Sequence, residues 1–309
     1  MKIAVVHDEK PGEVGMKMLK SIAGVLEKHH EVFSVPLTPN FVEKIESAGI
    51  DFAFNIATGG EGHRRQFYVP AILDFWNIPY TGSGVSANCL CIDKSLTKVV
   101  MTDSGIPTPK YVCLKQSHPV EEIDFYPAIV KPSCGGSAVG IWADSVVSDR
   151  IELERAVKRI HREYGEPALV EEFIDGREFS IGIVGRTVLP ILEIDFSFLP
   201  AGMERFYSYR VKQYLGEKTG YICPADIPED LKTKIESLSL ELFDRLDLGD
   251  YARIDLRIDG QGEPYFLEVN SLPLLVPDYS DIVKMAVAAG WEYDDLILAI
   301  LDSAIERRR

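Results

Sequence analysis

Residues 253–270 read RIDLRIDGQGEPYFLEVN, two stretches of alternating character on either side of a turn near Asp259 and Gly260. This pattern predicts two strands joined as a β-hairpin. Glu268 and Asn270 are two residues apart on the second strand, so their side chains project from the same face of the sheet. Asp255, on the first strand, can join them there.

Together these three side chains form a set of oxygen ligands without histidine or thiolate. Asp255, Glu268 and Asn270 suit Mg²⁺ bound together with substrate phosphates, and they do not suit zinc. Arg253 shares the face of Asp255 and could stabilise a developing anion. The alternative is the solvated face of an ordinary hairpin, because acidic pairs are common on exposed strands. The pattern is compatible with a metal site and with such a solvated face.

Two lysines are candidates for phosphate contacts. Lys131 ends the apolar run 128–130 and precedes the small-residue loop PSCGGSAVG (132–140), whose backbone N–H groups can hold phosphate oxygens. The loop does not match G-x-x-x-x-G-K-[ST], so an ordinary Gly-rich loop stays open. Lys94 begins a predicted helix, where a cation is disfavoured unless an anion is nearby. An exposed lysine is the alternative.

Residues 169–174 read LVEEFI and end a predicted strand. The backbone of an exposed strand edge there could bind the edge of an adenine, and a carboxylate could hold ribose hydroxyls. Glu178 begins a further alternating stretch that is typical of a half-buried strand. Its alternative role is surface charge.

The order of elements predicts α/β and α+β organisation. Near the N-terminus, strands alternate with helices, which indicates βαβ units and a parallel sheet. Gly105, Pro107 and Pro109 mark the end of a helix and an extended link. The predicted strands are 3–7, 32–37, 51–56, 128–131, 139–142, 168–171, 178–184, 188–194, 252–258 and 264–269. The predicted helices are 13–28, 40–48, 93–104, 150–164, 228–246, 282–289 and 293–305.

Composition narrows the class of protein. The 309 residues carry a net charge of −15, which argues against sequence-independent binding of nucleic-acid phosphates but is compatible with a nucleotide site. No apolar run reaches membrane length, and the first apolar run is too short for a signal peptide. The five cysteines lack paired spacing, so we expect reduced thiols and a cytoplasmic protein. We interpret Arg307–Arg309 as a solvated helix end.

Taken in order, these segments resemble the ATP-grasp superfamily, and more closely the D-alanine:D-alanine ligases and their ligase-like relatives. Each motif is short, and their ordered occurrence along nearly the whole chain carries the resemblance. The motifs are GEV (12–14), PYTGSG (79–84), DK (93–94), IVKPS (129–133), GSAVG (136–140), FYSY (206–209), CPA (223–225), RID (253–255) and LEVN (267–270).

The resemblance implies an ATP-grasp fold and a reaction. Residues 1–90 would form a Rossmann-like substrate domain, 91–176 a central ATP-grasp subdomain, and 177–309 a C-terminal subdomain with the metal site and a mobile loop. The implied activity is ATP-dependent ligation of two amino acids. A carboxylate attacks the γ-phosphate of ATP, and an amine then attacks the resulting acyl phosphate. The family also suggests a homodimer.

Roles for individual residues follow from the same resemblance. Lys94 and Lys131 would contact ATP phosphates, Glu178 would bind ribose, and the adenine would lie along Glu171, Glu172, Phe173 and Ile174. Two Mg²⁺ ions, or Mn²⁺, would be held by Asp255, Glu268 and Asn270. Substrate and catalytic positions would be Glu13 and Ser137 near the first amino acid, Tyr207 and Lys212 on the mobile loop, Arg253 at the tetrahedral oxyanion, and Ser280 and Asp281 near the second substrate.

Departures from the family pattern fall in regions that face the substrate. Gln213 replaces a usual tyrosine, Leu274 replaces a usual glycine, and Asp281 stands where an apolar contact is common. The segment 59–66, with His63 and Arg64, is longer and more basic than usual. We therefore expect a retained reaction with a different or additional acid or amine. Alternatives are a ligase for a natural-product peptide and an inactive nucleotide-binding module.

Overall fold

The computed structural model of the chain describes residues 1–59, 65–116, 119–120, 122–200, 202–214 and 219–307, without the side chains of 212–214. Within these residues the strands form three sheets. None of the helices in the described ranges is both long enough and apolar enough to cross a membrane.

A parallel three-stranded sheet of order β2-β1-β3 forms the N-terminal part. It contains β1 (Lys2–Asp8), β2 (Glu31–Leu37) and β3 (Phe52–Asn55), with α1 (Gly12–Leu26) and α2 (Phe41–Ala48) as the crossover helices. This confirms the predicted βαβ alternation. The apolar face of α1 is buried, as its 3.6-residue period predicts, through Met18, Leu19, Ile22, Val25 and Leu26.

Three helices lead from this sheet to the next. They are α3 (Tyr68–Phe75), α4 (Val85–Ile92) and α5 (Lys94–Asp103). The first two were not predicted. The N-terminus of α5 is capped by Asp93, whose carboxylate accepts a 3.0 Å hydrogen bond from the backbone N–H of Ser95. Gly105, at φ +70°, follows its C-terminus as predicted.

The second sheet is antiparallel, of order β4-β7-β5-β6, with α6 (Arg150–Tyr164) packed on it. Its strands are β4 (Tyr111–Leu114), β5 (Ala128–Pro132), β6 (Val146–Val147) and β7 (Ala168–Glu172). The predicted strand 139–142 is wrong. Ser137 and Ala138 have φ of 55° and 58°, and the N–H of Val139 bonds to the carbonyl of Gly136 at 3.2 Å. This left-handed turn cannot continue a strand.

The third sheet has the order β11-β10-β8-β12-β13, with β9 paired to β8. Its strands are β8 (Gly176–Val184), β9 (Thr187–Val188), β10 (Leu192–Asp195), β11 (Gly220–Ile222), β12 (Tyr251–Asp259) and β13 (Pro264–Asn270). The helices of this part are α7 (Tyr209–Tyr214), α8 (Glu229–Arg245), α9 (Asp281–Ala288) and α10 (Tyr293–Arg307). The single strand predicted over 188–194 is split at Pro190, which has no N–H for the ladder.

One large apolar cluster joins the two ends of the chain. It includes Ile3 and Phe54 of the first sheet together with Leu275, Ile282 and Leu296 near the C-terminus. The first sheet therefore shares its core with the last helices. The domain boundaries after residues 90 and 176 stay predictions.

Arg307 is a correction to the sequence interpretation. Its guanidinium donates to both carboxylate oxygens of Asp250, at 3.0 and 2.7 Å, and to the carbonyl of Gly82 at 3.0 Å. The Asp250 side chain is fully buried, and a buried carboxylate needs a cation or hydrogen-bond donors. Arg307 thus joins three segments and is not a solvated helix end.

Candidate active site

A pocket lies between the second and third sheets and is lined by residues of both. Many of the residues singled out from the sequence line it, namely Lys94, Lys131, Glu171, Glu172, Phe173, Ile174, Glu178, Tyr207, Arg253, Asp255, Glu268 and Asp281.

The hairpin of β12 and β13 forms the floor of the polar half of this pocket. Its register places Asp255 opposite Glu268 and Arg253 opposite Asn270, which confirms the hairpin and the shared face. Asp255 is the centre of the group. Its carboxylate accepts from Ser180 Oγ at 2.6 Å and from Asn270 Nδ2 at 3.0 Å.

A β-bulge shapes the same hairpin. Pairing passes from Asp255 and Glu268 directly to Leu256 and Phe266, so Leu267 is an extra residue on β13. Because the bulge interrupts the alternation, Leu267 and Glu268 both line the pocket. An apolar contact therefore lies beside a carboxylate, which the alternating pattern alone did not predict.

The oxygen set fits a hard divalent cation. Asp255 and Glu268 face the pocket on adjacent strands, and Asn270 contacts Asp255. In the described ranges, no three histidine, cysteine or acidic side chains group as a metal site. An ion here needs further oxygens from a ligand, as Mg²⁺ commonly takes from nucleotide phosphates.

Arg253 lies between Asp255 and Asp281. Its Nε and Nη2 donate to the two oxygens of Asp255, each at 2.8 Å, and its Nη1 lies 3.4 Å from Asp281 Oδ2. Burial alone would lower the pKa of this guanidinium, but Asp255 and Asp281 outweigh burial and raise it. Arg253 is therefore a permanent cation.

Lys94 is not an exposed lysine, which removes that alternative. It is 6% exposed, its Nζ donates to the carbonyl of Gly135, and it lies 3.8 Å from Glu268 Oε2. Its backbone N–H donates to Ser133 at 2.9 Å, which joins the start of α5 to the loop after β5. The small-residue loop and the lysine thus meet at one end of the pocket.

Glu171 is buried between two lysines. Its Oε2 pairs with Lys131, and its Oε1 lies 2.5 Å from Lys98 Nζ. Lys98 was missed from the sequence, although it is one helical turn after Lys94 and hence on the same face. The fully buried Lys98 also donates to Thr108 Oγ1 at 2.7 Å. Two lysines therefore share one buried carboxylate.

Burial lowers the pKa of the Lys131 ammonium from 10.5 to about 8. Glu268 and Glu178 oppose the shift, and Lys94 adds to it. The pKa of Lys98 is also lowered, by burial first and by Lys131 second. An anion placed between these lysines would relieve their repulsion.

Part of the pocket lining is apolar and aromatic. Phe173 and Phe206 meet edge to face with centroids 5.7 Å apart, beside Ile129, Ile174 and Ile194. Such walls suit a flat ring. The expected exposed strand edge is wrong, because β7 pairs with both β4 and β5, and the N–H groups of Glu172 and Phe173 bond to Lys110 and Pro127.

Two aromatic residues and a lysine surround Asp281. The hydroxyls of Tyr207 and Tyr221 are 2.8 Å apart, and Lys284 Nζ lies 4.2 Å from the centroid of the Tyr221 ring. Lys284 Nζ is also 3.4 Å from Asp281 Oδ1. Burial raises the pKa of Tyr207, and the Asp281 carboxylate raises it further, so this hydroxyl keeps its proton.

Several expected residues lie outside the pocket lining. Glu13 and Ser137 are exposed, and neither lines the pocket. Ser280 is buried, and its Oγ accepts from the N–H of Val276 at 2.9 Å. Their substrate roles stay predictions. The side chains of Lys212 and Gln213, and residues 60–64 with His63 and Arg64, lie outside the described residues.

Comparison with protein families gives a match over residues 100–302 to the model described as D-ala D-ala ligase C-terminus. This range contains every residue that lines the pocket except Lys94, together with both antiparallel sheets and α9. It is well over half of the chain.

Individual relatives agree with this match. An uncharacterized protein, y4sG of Sinorhizobium fredii, is 36% identical over 82% of this chain and 74% of its own length. The D-alanine–D-alanine ligase of Syntrophotalea carbinolica is 32% identical over 96% of this chain and 93% of its own length. The corresponding Pediococcus pentosaceus enzyme is 34% identical over 81% of this chain and 68% of its own length.

Solved structures extend the likeness to the whole fold. The D-alanine–D-alanine ligase of Bacillus anthracis complexed with ATP has a TM-score of 0.81 and 25% identity, covering all of this chain and 98% of that chain. A second crystal structure of that enzyme has the same TM-score at 27% identity. The predicted family, ATP-grasp fold and ligase activity are confirmed. The chain belongs to the D-alanine–D-alanine ligase family of ATP-dependent ligases, which form a peptide bond.

Proposed function

We propose that this chain joins the carboxylate of one amino acid to the amine of a second, while ATP is converted to ADP and phosphate. One observation carries the assignment of sites: a single pocket is lined by buried lysines, by two facing carboxylates and by apolar and aromatic side chains. ATP matches this lining, with a triphosphate at one end and a flat base at the other.

The nucleotide would lie along the pocket with its phosphates at Lys94 and Lys131. Its base would lie against Phe173 and Ile174, and Glu178 would accept from ribose hydroxyls. Lys212 would contact the γ-phosphate. The carboxylates of Asp255 and Glu268, which lie on the pocket floor, support this placement of the phosphates.

Two Mg²⁺ ions, or Mn²⁺, would be held by Asp255, Glu268 and Asn270 together with phosphate oxygens. Bound there, they would neutralise phosphate charge during transfer. In the free protein Asp255 is held in place by Ser180, Arg253 and Asn270. These contacts orient the carboxylate, and because four donors occupy its two oxygens, an ion would bind by displacing at least one of them.

The chain's own side chains account for the rest of the reaction. Lysine charge stabilises the phosphate that a carboxylate attacks, and the acyl phosphate so formed is then attacked by the amine. Arg253, a permanent cation facing the pocket, would stabilise the oxyanion of that second step. Closure of the segment with Tyr207 and Lys212 would exclude water from the acyl phosphate.

The amino-acid substrates are a separate part of the proposal. Glu13 and Ser137 would lie near the first amino acid, and Ser280 and Asp281 near the second. Asp281 lines the pocket 3.4 Å from Arg253, so a carboxylate would face the second substrate where the family usually has an apolar contact. We propose a second substrate with an additional amine or polar group.

Phosphate release is measured with ATP, Mg²⁺ and a panel of D- and L-amino acids, and the products are identified by mass analysis. This experiment tests both the ligase reaction and the proposed second substrate. Asp255→Asn should lower kcat/KM about 100-fold or more, since a metal contributes several kcal/mol at roughly 1.4 kcal/mol per tenfold. Glu263→Gln removes an exposed carboxylate from the same hairpin and is the control. Release without any amino acid would contradict the ligase, and efficient turnover of D-alanine alone would contradict the substrate proposal.

A cytoplasmic homodimer completes the proposal. The five cysteines, all within the described ranges, are free thiols. Phe75 and Trp76 at the end of α3 are 79% and 44% exposed, which fits a surface covered by a second copy. Sedimentation analysis tests the dimer, and a monomer across the accessible concentration range would contradict it.

A further inference from the structure

Arg257 is a buried arginine in the pocket that the sequence argument did not use. It lies on β12 two residues after Asp255, so the two side chains share a face about 7 Å apart along the strand. It is 4% exposed and lines the pocket. Arginine is almost never fully buried unless it is paired, so the guanidinium of Arg257 is expected to have several partners.

The guanidinium uses only part of its donor capacity. Nη2 donates to the carbonyls of Gly176 and Arg205, both at 2.9 Å. Nε lies 3.7 Å from Glu178 Oε2 and makes no hydrogen bond, and Nη1 has no hydrogen-bond partner among the described residues. Buried N–H groups without acceptors are costly and are retained where a ligand supplies the acceptor.

Arg257 lies against the aromatic part of the pocket lining. Its guanidinium carbon is 5.1 Å from the centroid of the Phe173 ring, and Phe173 is one of the apolar walls. Lys94 and Lys131 lie beside Glu268 and Glu171, whereas the carboxylate beside Arg257 is Glu178. A cation next to the aromatic wall and the proposed ribose-binding Glu178 therefore faces the nucleoside and not the triphosphate.

We propose that Arg257 binds the nucleoside of ATP, donating from Nη1 and Nε to an oxygen or ring-nitrogen acceptor of the sugar or base. Arg257 also holds the Glu178 side chain in place, because Arg257 on β12 lies opposite Glu178 on β8. This inference rests on the nucleotide placement proposed above. It adds a residue that sets affinity for the nucleoside independently of the phosphates.

Calorimetric titration of the full chain with AMP, ATP and inorganic tripolyphosphate tests it without any need for turnover. Arg257→Met should weaken AMP and ATP by the same factor, at least tenfold, and leave tripolyphosphate unchanged. Arg257→Lys keeps the positive charge but not the planar guanidinium, so its affinity for AMP and ATP should lie between that of the parent chain and that of Arg257→Met. It also carries the test if Arg257→Met does not fold.

Arg177→Met is the matched control. Arg177 is also an arginine beside a phenylalanine ring, 5.0 Å from Phe179, and it is paired with Glu193, but it does not line the pocket. This variant should bind AMP as the parent chain does. In turnover, Arg257→Met should raise the KM for ATP with little change in kcat.

Analogues identify the source of the acceptor. If the parent chain and Arg257→Met bind 2′-deoxy-ATP equally well, the acceptor is on the sugar. If they bind 7-deaza-ATP equally well, the acceptor is on the base. Unchanged AMP binding by Arg257→Met, or an equal loss for tripolyphosphate, overturns the inference. Failure of the parent chain to bind ATP or to release phosphate would instead overturn the proposed function.

Discussion

Single residues in the pocket divide into those that local pattern predicts and those that distant contacts determine. Asp255, Glu268 and Asn270 were placed on one face because strand alternation is a property of the local backbone. Lys98 and Arg257 were missed. Lys98 is buried only because Glu171 and Thr108, from other elements, supply its partners. Nothing in the helix itself distinguishes it from a surface lysine.

The lowered pKa of Lys131 gives a prediction for pH. In the free protein this lysine titrates at about 8, well below 10.5, and phosphate anions favour its charged form. Below pH about 8 the lysine is already protonated, so ATP affinity should depend little on pH. Above that value, binding must take up a proton, and ATP affinity should fall by up to tenfold per pH unit.

Calorimetry from pH 7 to 9.5 in two buffers of different ionisation enthalpy measures both the affinity and the proton uptake. Lys131→Met should bind ATP more weakly and show a shallower pH dependence. Residual dependence in that variant reports on Lys98, whose pKa is lowered in the same direction. A flat affinity profile across this range in the parent chain would contradict the prediction.

At the scale of elements, hydrophobic period predicted most helices and strands, and local backbone chemistry explains the failures. The strand expected over 139–142 does not form, because Gly140 adopts a left-handed conformation and the N–H of Ile141 bonds back to the carbonyl of Ala138. In a short apolar stretch beside glycines, the spacing of apolar residues does not distinguish a strand from a turn. The bulge at Leu267 is equally invisible in sequence, since it is defined by its pairing with β12.

Gly182 on β8 determines how closely α9 approaches the sheet. A Cβ atom there would lie 3.1 Å from Ile282 and Leu189 and 3.2 Å from Met285, so these neighbours must move. Gly182→Ala should therefore lower the free energy of unfolding by about 1–3 kcal/mol. Because α9 carries Asp281, we also expect a higher KM for the second amino acid with unchanged ATP affinity.

Urea unfolding and steady-state kinetics measure these effects. Gly24→Ala is the control, since a Cβ atom at this exposed position of α1 meets nothing within 4 Å. It should stabilise the protein by about 0.5–1 kcal/mol, because alanine is the better helix former. Equal changes for the two variants would show that close packing under α9 is not the cause.

At the scale of the whole molecule, the two ends of the chain are joined around one core and one buried ion pair. The family resemblance predicted the arrangement of sheets, but it did not predict this pair. Asp250 accepts from the N–H of Gly82 at 2.7 Å and from the guanidinium of Arg307, residues far apart in sequence. Helix-end patterns treat a C-terminal arginine as solvated, and only the tertiary fold supplies the buried carboxylate.

Arg307→Ala should therefore act on the whole molecule and not only on the last turn of α10. Removing the guanidinium leaves the buried Asp250 carboxylate without its cation, which should cost about 1–3 kcal/mol in the free energy of unfolding. Urea unfolding measures the loss, and hydrogen exchange should accelerate at the Gly82 amide. Arg186→Ala breaks an exposed pair with Asp244 and should cost less than about 1 kcal/mol. Equal costs would mean that Arg307 contributes only a surface contact.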